Sequence, residues 1–332
     1  MIFPDKIYYE PQIFDFELGQ QLKNKYPNVP WIEIDNHNNI PVLRANKNSE
    51  FTKMKKHLVI GIRKTHRYVP NHKVSDFLVP YTSSGCSASC LYCYLVCNYN
   101  KCSYLRLFVN REQMLSGIIK KAKESQKDLC FEIGSNSDLV LENNITGNLP
   151  WTIENFAKKE RGMLTFPTKF DMIDPLLSLE HKKRVIFRMS VNPDYIIRKI
   201  EFGTSSLYKR ITALNRMCDA GYPIGILIAP IVLIENWRGL YTELIDILAN
   251  QLSERVKHSG FIEIIFMTYS FVHRAINTEA FPNAIKLHNE TLMTGRGRGK
   301  YNYRDNVRAQ GENLLKGELA KKLPEMRILY IS

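Results

Sequence analysis

Beyond residue 76 the apolar positions fall into short runs separated by longer stretches of helical period. Phe77-Leu78-Val79, Cys130-Phe131-Glu132-Ile133-Gly134, Gly162-Met163-Leu164-Thr165-Phe166, Val185-Ile186-Phe187-Arg188-Met189-Ser190, Ile224-Gly225-Ile226-Leu227-Ile228 and Phe261-Ile262-Glu263-Ile264-Ile265-Phe266 read as strands. Helical spacing covers 111–126, 151–160, 205–220 and 237–253. Strands joined mostly by helices predict an α/β fold, a parallel sheet with βαβ crossovers curved into a partial (β/α)6 barrel. Such a sheet gathers its chemistry at the carboxyl ends of the strands.

The ends of the chain read differently. Residues 1–75 predict a less regular N-terminal extension, rich in aromatics, basic in its second half and broken by the turn sequence Pro27-Asn28-Val29-Pro30. Residues 76–270 form the predicted barrel. Residues 271–332 hold a basic β-hairpin, a helix over 305–322 and a last strand, Arg327-Ile328-Leu329-Tyr330.

At 332 residues and 44% hydrophobic content the chain can bury a large core, which fits one catalytic domain with short additions. No apolar run approaches the ~20 residues that span a bilayer, so no membrane role is expected. The opening Met1-Ile2-Phe3-Pro4 is not followed by an apolar export segment, and the expected location is the cytoplasm, with reduced thiols.

A formal charge of +13 points to a polyanionic partner. Lys53, Lys55, Lys56, Arg63, Lys64, Arg67 and Lys73 stand in 51–75 with no acidic residue among them. The second concentration is Thr294-Gly295-Arg296-Gly297-Arg298-Gly299-Lys300-Tyr301-Asn302-Tyr303-Arg304. There glycine permits close backbone approach, Arg296, Arg298 and Lys300 can meet phosphates, and the tyrosines that follow, Tyr301 first, can stack on a base. A solvated basic turn is the plainer alternative.

The densest chemistry is Gly85-Cys86-Ser87-Ala88-Ser89-Cys90-Leu91-Tyr92-Cys93-Tyr94. The C-x3-C-x2-C spacing of Cys86, Cys90 and Cys93 is the signature of radical S-adenosylmethionine (SAM) enzymes. Three thiolates on a 4Fe-4S cluster leave one iron open to chelate SAM. A structural zinc site is the alternative, since Cys97 follows at x3. Such sites usually pair two knuckles, however, and Cys102, Cys130 and Cys218 are solitary.

Further stretches narrow the reading. Leu58-Val59-Ile60-Gly61-Ile62-Arg63-Lys64, Cys90-Leu91-Tyr92-Cys93-Tyr94-Leu95, Phe187-Arg188-Met189-Ser190-Val191-Asn192-Pro193-Asp194-Tyr195, Ala220-Gly221-Tyr222-Pro223-Ile224-Gly225, Ala229-Pro230-Ile231 and Gly299-Lys300-Tyr301-Asn302-Tyr303 together resemble the spore photoproduct lyases. The resemblance implies a radical SAM carbon–carbon lyase that reverses a UV-induced thymine dimer in the DNA of spores. It also implies double-stranded DNA carrying that dimer as substrate, an electron donor such as flavodoxin or ferredoxin, and a monomer. By the same resemblance Tyr92 and Tyr94 return the radical to SAM, while Ser137, Lys169 and Ser190 hold SAM. Asp138 is a weaker candidate, better explained as a cap.

One position departs from the family. Where the pattern has Cys-x-Ser-Asp, whose cysteine gives the quenching hydrogen atom, this chain reads Ser135-Asn136-Ser137-Asp138. A serine O–H bond is far stronger than a cysteine S–H bond, so Cys97 and Cys130 become candidate donors. Two other functions stay open: a divergent radical SAM enzyme on another nucleic acid, and a DNA-binding homologue without full turnover.

If the motif holds a cluster, replacing any one of Cys86, Cys90 or Cys93 by Ala abolishes the brown absorbance of iron-reconstituted protein, and Cys97→Ala leaves it intact. Zinc bound in equal amount to protein, with no iron loaded, contradicts this.

Overall fold

In the computed structural model, which describes residues 3–98, 104–159 and 161–332, each of the six apolar runs becomes a strand. They span Phe77–Leu78, Cys130–Glu132, Met163–Thr168, Val185–Val191, Ile224–Ile231 and Phe261–Phe266. Helices occupy Arg111–Glu124, Asn148–Ala157, Leu207–Asp219 and Trp237–Gln251, close to the predicted spans. Ile224–Ile231 is buried along nearly its whole length, as a parallel strand covered on both faces must be. Cys102 lies outside the described residues. Among the described residues no helix is long and apolar enough to cross a membrane.

The chain divides into two compact units. One comprises residues 1–89, 95–166 and 178–185. It overturns the expectation of an irregular N-terminal extension, because Lys6–Tyr9, Trp31–Glu33 and His57–Gly61 are strands. They pair in parallel, with Lys6–Tyr9 between the other two, and His57–Gly61 continues in parallel to Leu105–Phe108. Ile7, Ile13, Leu22, Leu58, Ile60 and Leu107 form the core beneath them. These strands are three to five residues long and lack the strict alternation that marks a half-buried strand, which hid them. The same unit holds Phe77–Leu78 and Cys130–Glu132, paired in parallel, and the start of Met163–Thr168 beside them.

The other unit comprises residues 90–94, 167–177 and 186–332. Val185–Val191, Ile224–Ile231, Phe261–Phe266 and Arg327–Ile331 run parallel in that order. A buried ion pair crosses the middle strand. Arg188 gives Nε to Glu263 Oε1 at 2.8 Å and Nη2 to Oε2 at 2.7 Å, and Tyr330 Oη donates to Oε2 at 2.6 Å. The guanidinium reaches its partner by passing over Gly225, where a Cβ would stand 2.9 Å from Arg188 Cγ and 2.7 Å from the Phe261 ring. A charge pair this deep is held only if every polar atom finds a partner.

Gly225→Ala should therefore displace Arg188 and Phe261 and lower stability by about 1–3 kcal/mol, read from the urea midpoint at unchanged slope. A midpoint equal to the parent's would show that the passage is not tight.

Candidate active site

Cys86 belongs to the first unit. Its carbonyl accepts Lys55 Nζ at 2.8 Å, and its Sγ accepts the Ala88 amide at 3.4 Å. Lys55 is buried, so it leaves the basic stripe read from 51–75 and acts as a strut beneath the cysteine loop. Beside it Gly85 donates to the Asn136 carbonyl at 2.8 Å and bridges Ser137. This brings the Cys86 arm to the loop that carries Ser135 and Ser137. Ser137 is buried and its Oγ makes no hydrogen bond among the described residues. A buried hydroxyl left unsatisfied is costly unless a ligand completes it. Asp138 is a cap, accepting the amides of Val140 and Leu141 at 3.1 Å each and starting the helix Leu139–Thr146.

Ser135 is half-buried in the turn that follows Cys130–Glu132. Cys130 sits at the opposite end of that strand, tied by its amide to Asp76 at 2.7 Å. Cys97 is exposed.

Cys90 and Cys93 belong to the second unit, half-buried, with Tyr92 between them. Tyr92 is 8% exposed and donates its hydroxyl to Glu201, whereas Tyr94 is 50% exposed. Glu201 is a hub that sequence reasoning missed. Its Oε1 accepts Lys169 Nζ at 2.9 Å and Asn192 Nδ2 at 2.8 Å, and its Oε2 accepts Arg210 Nη2 at 2.6 Å. Lys169 also donates to Ser190 Oγ at 2.7 Å and to the Ala229 carbonyl at 2.9 Å. Arg210, fully buried, adds the carbonyls of Ser205 and Ser190.

Burial disfavours the charged form of Glu201, but the Lys169 and Arg210 cations more than offset it and hold the carboxyl well below the usual range. Burial, and then the Glu201 charge, push the Tyr92 hydroxyl well above its ordinary value, so Tyr92 keeps its proton. Two cations against one carboxylate leave a net positive charge beside Lys169 and Ser190. A further carboxylate is welcome there.

In the same unit, Met293–Gly295 and Lys300–Tyr303 form the expected hairpin. Its tip runs through Gly297, Arg298 and Gly299, all at positive φ, and presents Arg296, Arg298 and Lys300 to solvent. Tyr301 is half-buried, with the His288 ring 4.5 Å from its own. Tyr303 is a core residue instead of a stacking platform, buried with its hydroxyl accepting the Leu233 amide at 2.8 Å.

The model of the spore photoproduct lyase family matches residues 2–332. The chain belongs to the spore photoproduct lyase family. It is 32% identical to spore photoproduct lyase of Bacillus subtilis (strain 168), over 99% of this chain and 98% of the relative, and 28% identical to that of Geobacillus sp. (strain Y412MC61) over 99% and 98%. Among solved structures, a double mutant of spore photoproduct lyase with bound AdoMet and dinucleoside spore photoproduct superposes with a TM-score of 0.92 at 28% identity, covering 100% of both chains. A complex of the lyase with dinucleoside spore photoproduct gives 0.91 at 27%, covering 100% and 99%. The fold is thus the α/β curled parallel sheet of that family, as the strand pattern predicts.

The Gly/Arg hairpin and the position of the cysteines were legible in the sequence. Among the described residues no three His, Cys, Asp or Glu side chains are gathered as a metal site, so the cluster assignment rests on spacing and chemistry. Glu201 and Arg210 gave one faint signal, an acid set among apolar neighbours in Ile200-Glu201-Phe202 and an arginine on the apolar side of its helix.

Glu201→Gln should lower stability at pH 7 by about 3–5 kcal/mol, because it leaves the buried Arg210 and the half-buried Lys169 short of an anion. A folded-state pKa below the unfolded one stabilises above about pH 4.3 and loses that contribution as pH falls. The gap between parent and variant should therefore shrink in acid, and a gap independent of pH would contradict the ionised hub.

Proposed function

We propose that this chain reverses the spore photoproduct in double-stranded DNA, as a radical SAM carbon–carbon lyase. The observation that carries the reading is the likeness, over the full length of both chains, to a lyase structure holding AdoMet and dinucleoside spore photoproduct together. Cys86, Cys90 and Cys93 would hold the 4Fe-4S cluster. The amide hydrogen bond to Cys86 Sγ fits a thiolate, since N–H donors to sulfur stabilise its negative charge. When bound, cluster and SAM would supply one-electron reductive cleavage of the sulfonium and so the hydrogen abstraction that opens the dimer.

The protein's own groups do the rest. Ser137, with its unsatisfied hydroxyl, Ser190 and Lys169, with surplus positive charge around it, bind and orient SAM. Tyr92, kept protonated and fixed by Glu201, and the more exposed Tyr94 serve the return of the radical to SAM. Arg296, Arg298, Lys300 and Tyr301, on the segment 271–332, engage the DNA. Lys53, Lys56, Lys64 and Arg67 are exposed in the basic half of 1–75 and add to the positive field. A flavodoxin or ferredoxin supplies the electron, the chain acts as a monomer, and the thiolates are kept reduced in a cytoplasm.

Ser135 supports a second reading, a family scaffold turned to a different nucleic-acid substrate, because it removes the S–H bond from which the thymine radical is quenched. The two separate in one anaerobic comparison with dinucleoside photoproduct, SAM and reductant. The lyase reading expects slow thymine recovery with side products from the parent, and higher recovery from Ser135→Cys. SAM cleavage without any recovery in either protein favours the second. Clean recovery by the parent that vanishes in Cys97→Ala would identify Cys97 as donor.

The hairpin makes its own forecast. Changing Arg296, Arg298 and Lys300 together to Ala should weaken duplex binding and reduce the salt slope by about one for each lost phosphate contact. An unchanged slope would make the turn merely solvated.

A further inference from the structure

The helix Phe271–Ala280 begins where the basic hairpin is paired and ends up holding the cysteine loop by its main chain. Tyr269 and Ser270 pair antiparallel with Lys300–Tyr303, Tyr269 standing opposite Tyr301. The Phe271 amide donates to the Gly299 carbonyl at 3.0 Å, and Gly299 lies where a Cβ would overlap the Phe271 ring. One turn on, His273 closes a capping box with Ser270.

The partners of His273 fix its tautomer. The Ser270 main-chain N–H can only donate, so His273 Nδ1, 3.1 Å away, accepts. The Cys93 carbonyl can only accept, so His273 Nε2, 3.0 Å away, carries the hydrogen. Asn277 adds a second hold, donating Nδ2 to the Leu91 carbonyl at 2.8 Å and to Tyr269 Oη at 3.2 Å. The rings of His273, Tyr269, His288 and Tyr301 stand in one row, successive centroids 5.1, 6.2 and 4.5 Å apart. His273 is thereby locked to the hairpin on one side and to Cys93 on the other.

We propose that His273 is a positioning residue, whose Nε2–H fixes the Cys93 carbonyl and so aims the Cys93 thiolate at the cluster while the hairpin anchors the helix that carries it. The inference rests on reading Cys93 as a cluster ligand. Outer hydrogen bonds of this kind hold ligands in place, and their loss typically weakens metal retention by about 10- to 100-fold.

Three variants separate positioning from capping. His273→Gln keeps both an acceptor for the Ser270 amide and a donor for the Cys93 carbonyl. His273→Glu keeps the capping acceptor and loses the donor, and His273→Leu loses both. Two readouts apply: the rate at which iron-reconstituted protein loses iron to a chelator, and amide hydrogen exchange at Leu91–Tyr94 in the iron-free chain. Positioning predicts iron loss about 10-fold faster and quicker exchange in His273→Glu and His273→Leu, with His273→Gln near the parent. Equal behaviour of Gln and Glu overturns it, as does a His273→Leu variant that retains iron like the parent, which would blame the Glu charge alone. If the parent takes up no iron, the cluster reading fails, and the exchange pattern by itself decides whether His273 holds the loop.

Discussion

The second unit is organised around one buried carboxylate. Glu201 meets Tyr92 from the cysteine loop, Lys169 from the end of strand Met163–Thr168, Asn192 from the end of Val185–Val191 and Arg210 from the helix that follows. Taking an anion out of water is expensive, and only two cations and two neutral donors make it favourable here. The arrangement works in both directions. The cations keep Glu201 ionised, and Glu201 in turn fixes Tyr92 and Lys169, two of the residues that the proposed reaction asks to be in place.

The first unit has a smaller counterpart. Lys55 spends its charge on the Cys86 carbonyl, and the Gly85 contact with Asn136 draws the same arm to the loop of Ser135 and Ser137. Both ends of the cysteine motif are thus held through main-chain carbonyls, by Lys55 at Cys86 and by Asn277 and His273 at Leu91 and Cys93. The backbone on either side of the thiols is thereby fixed by side chains that reach its carbonyls. That support suits ligands that have to be pre-organised.

Long periodic elements were legible in the sequence because a buried parallel strand needs an unbroken apolar run and a covering helix needs its stripe; Ile224–Ile231 and Leu207–Asp219 are of this kind. The N-terminal sheet was not, because Trp31–Glu33 and Lys6–Tyr9 are too short to establish a period and draw their stability from strands far away in sequence. The site divides in the same way. Cys86, Cys90, Cys93 and the glycine-spaced cations announce themselves by local spacing. Glu201, Arg210, His273 and Lys55 do not, since what they do depends on partners brought near only by the fold. Tyr303 shows the converse, an aromatic that local context assigned to DNA and tertiary packing assigned to the core.

The central claim is that Glu201 remains an anion inside the folded protein. Carbon-13 NMR of the chain with labelled glutamate, its Glu201 carboxyl resonance assigned by substitution, tests this most directly. The account predicts a carboxylate shift that stays constant as pH is lowered through about 4.3, where exposed glutamates titrate, until the protein unfolds. A Glu201 resonance that titrates alongside the exposed glutamates in the folded state would contradict it.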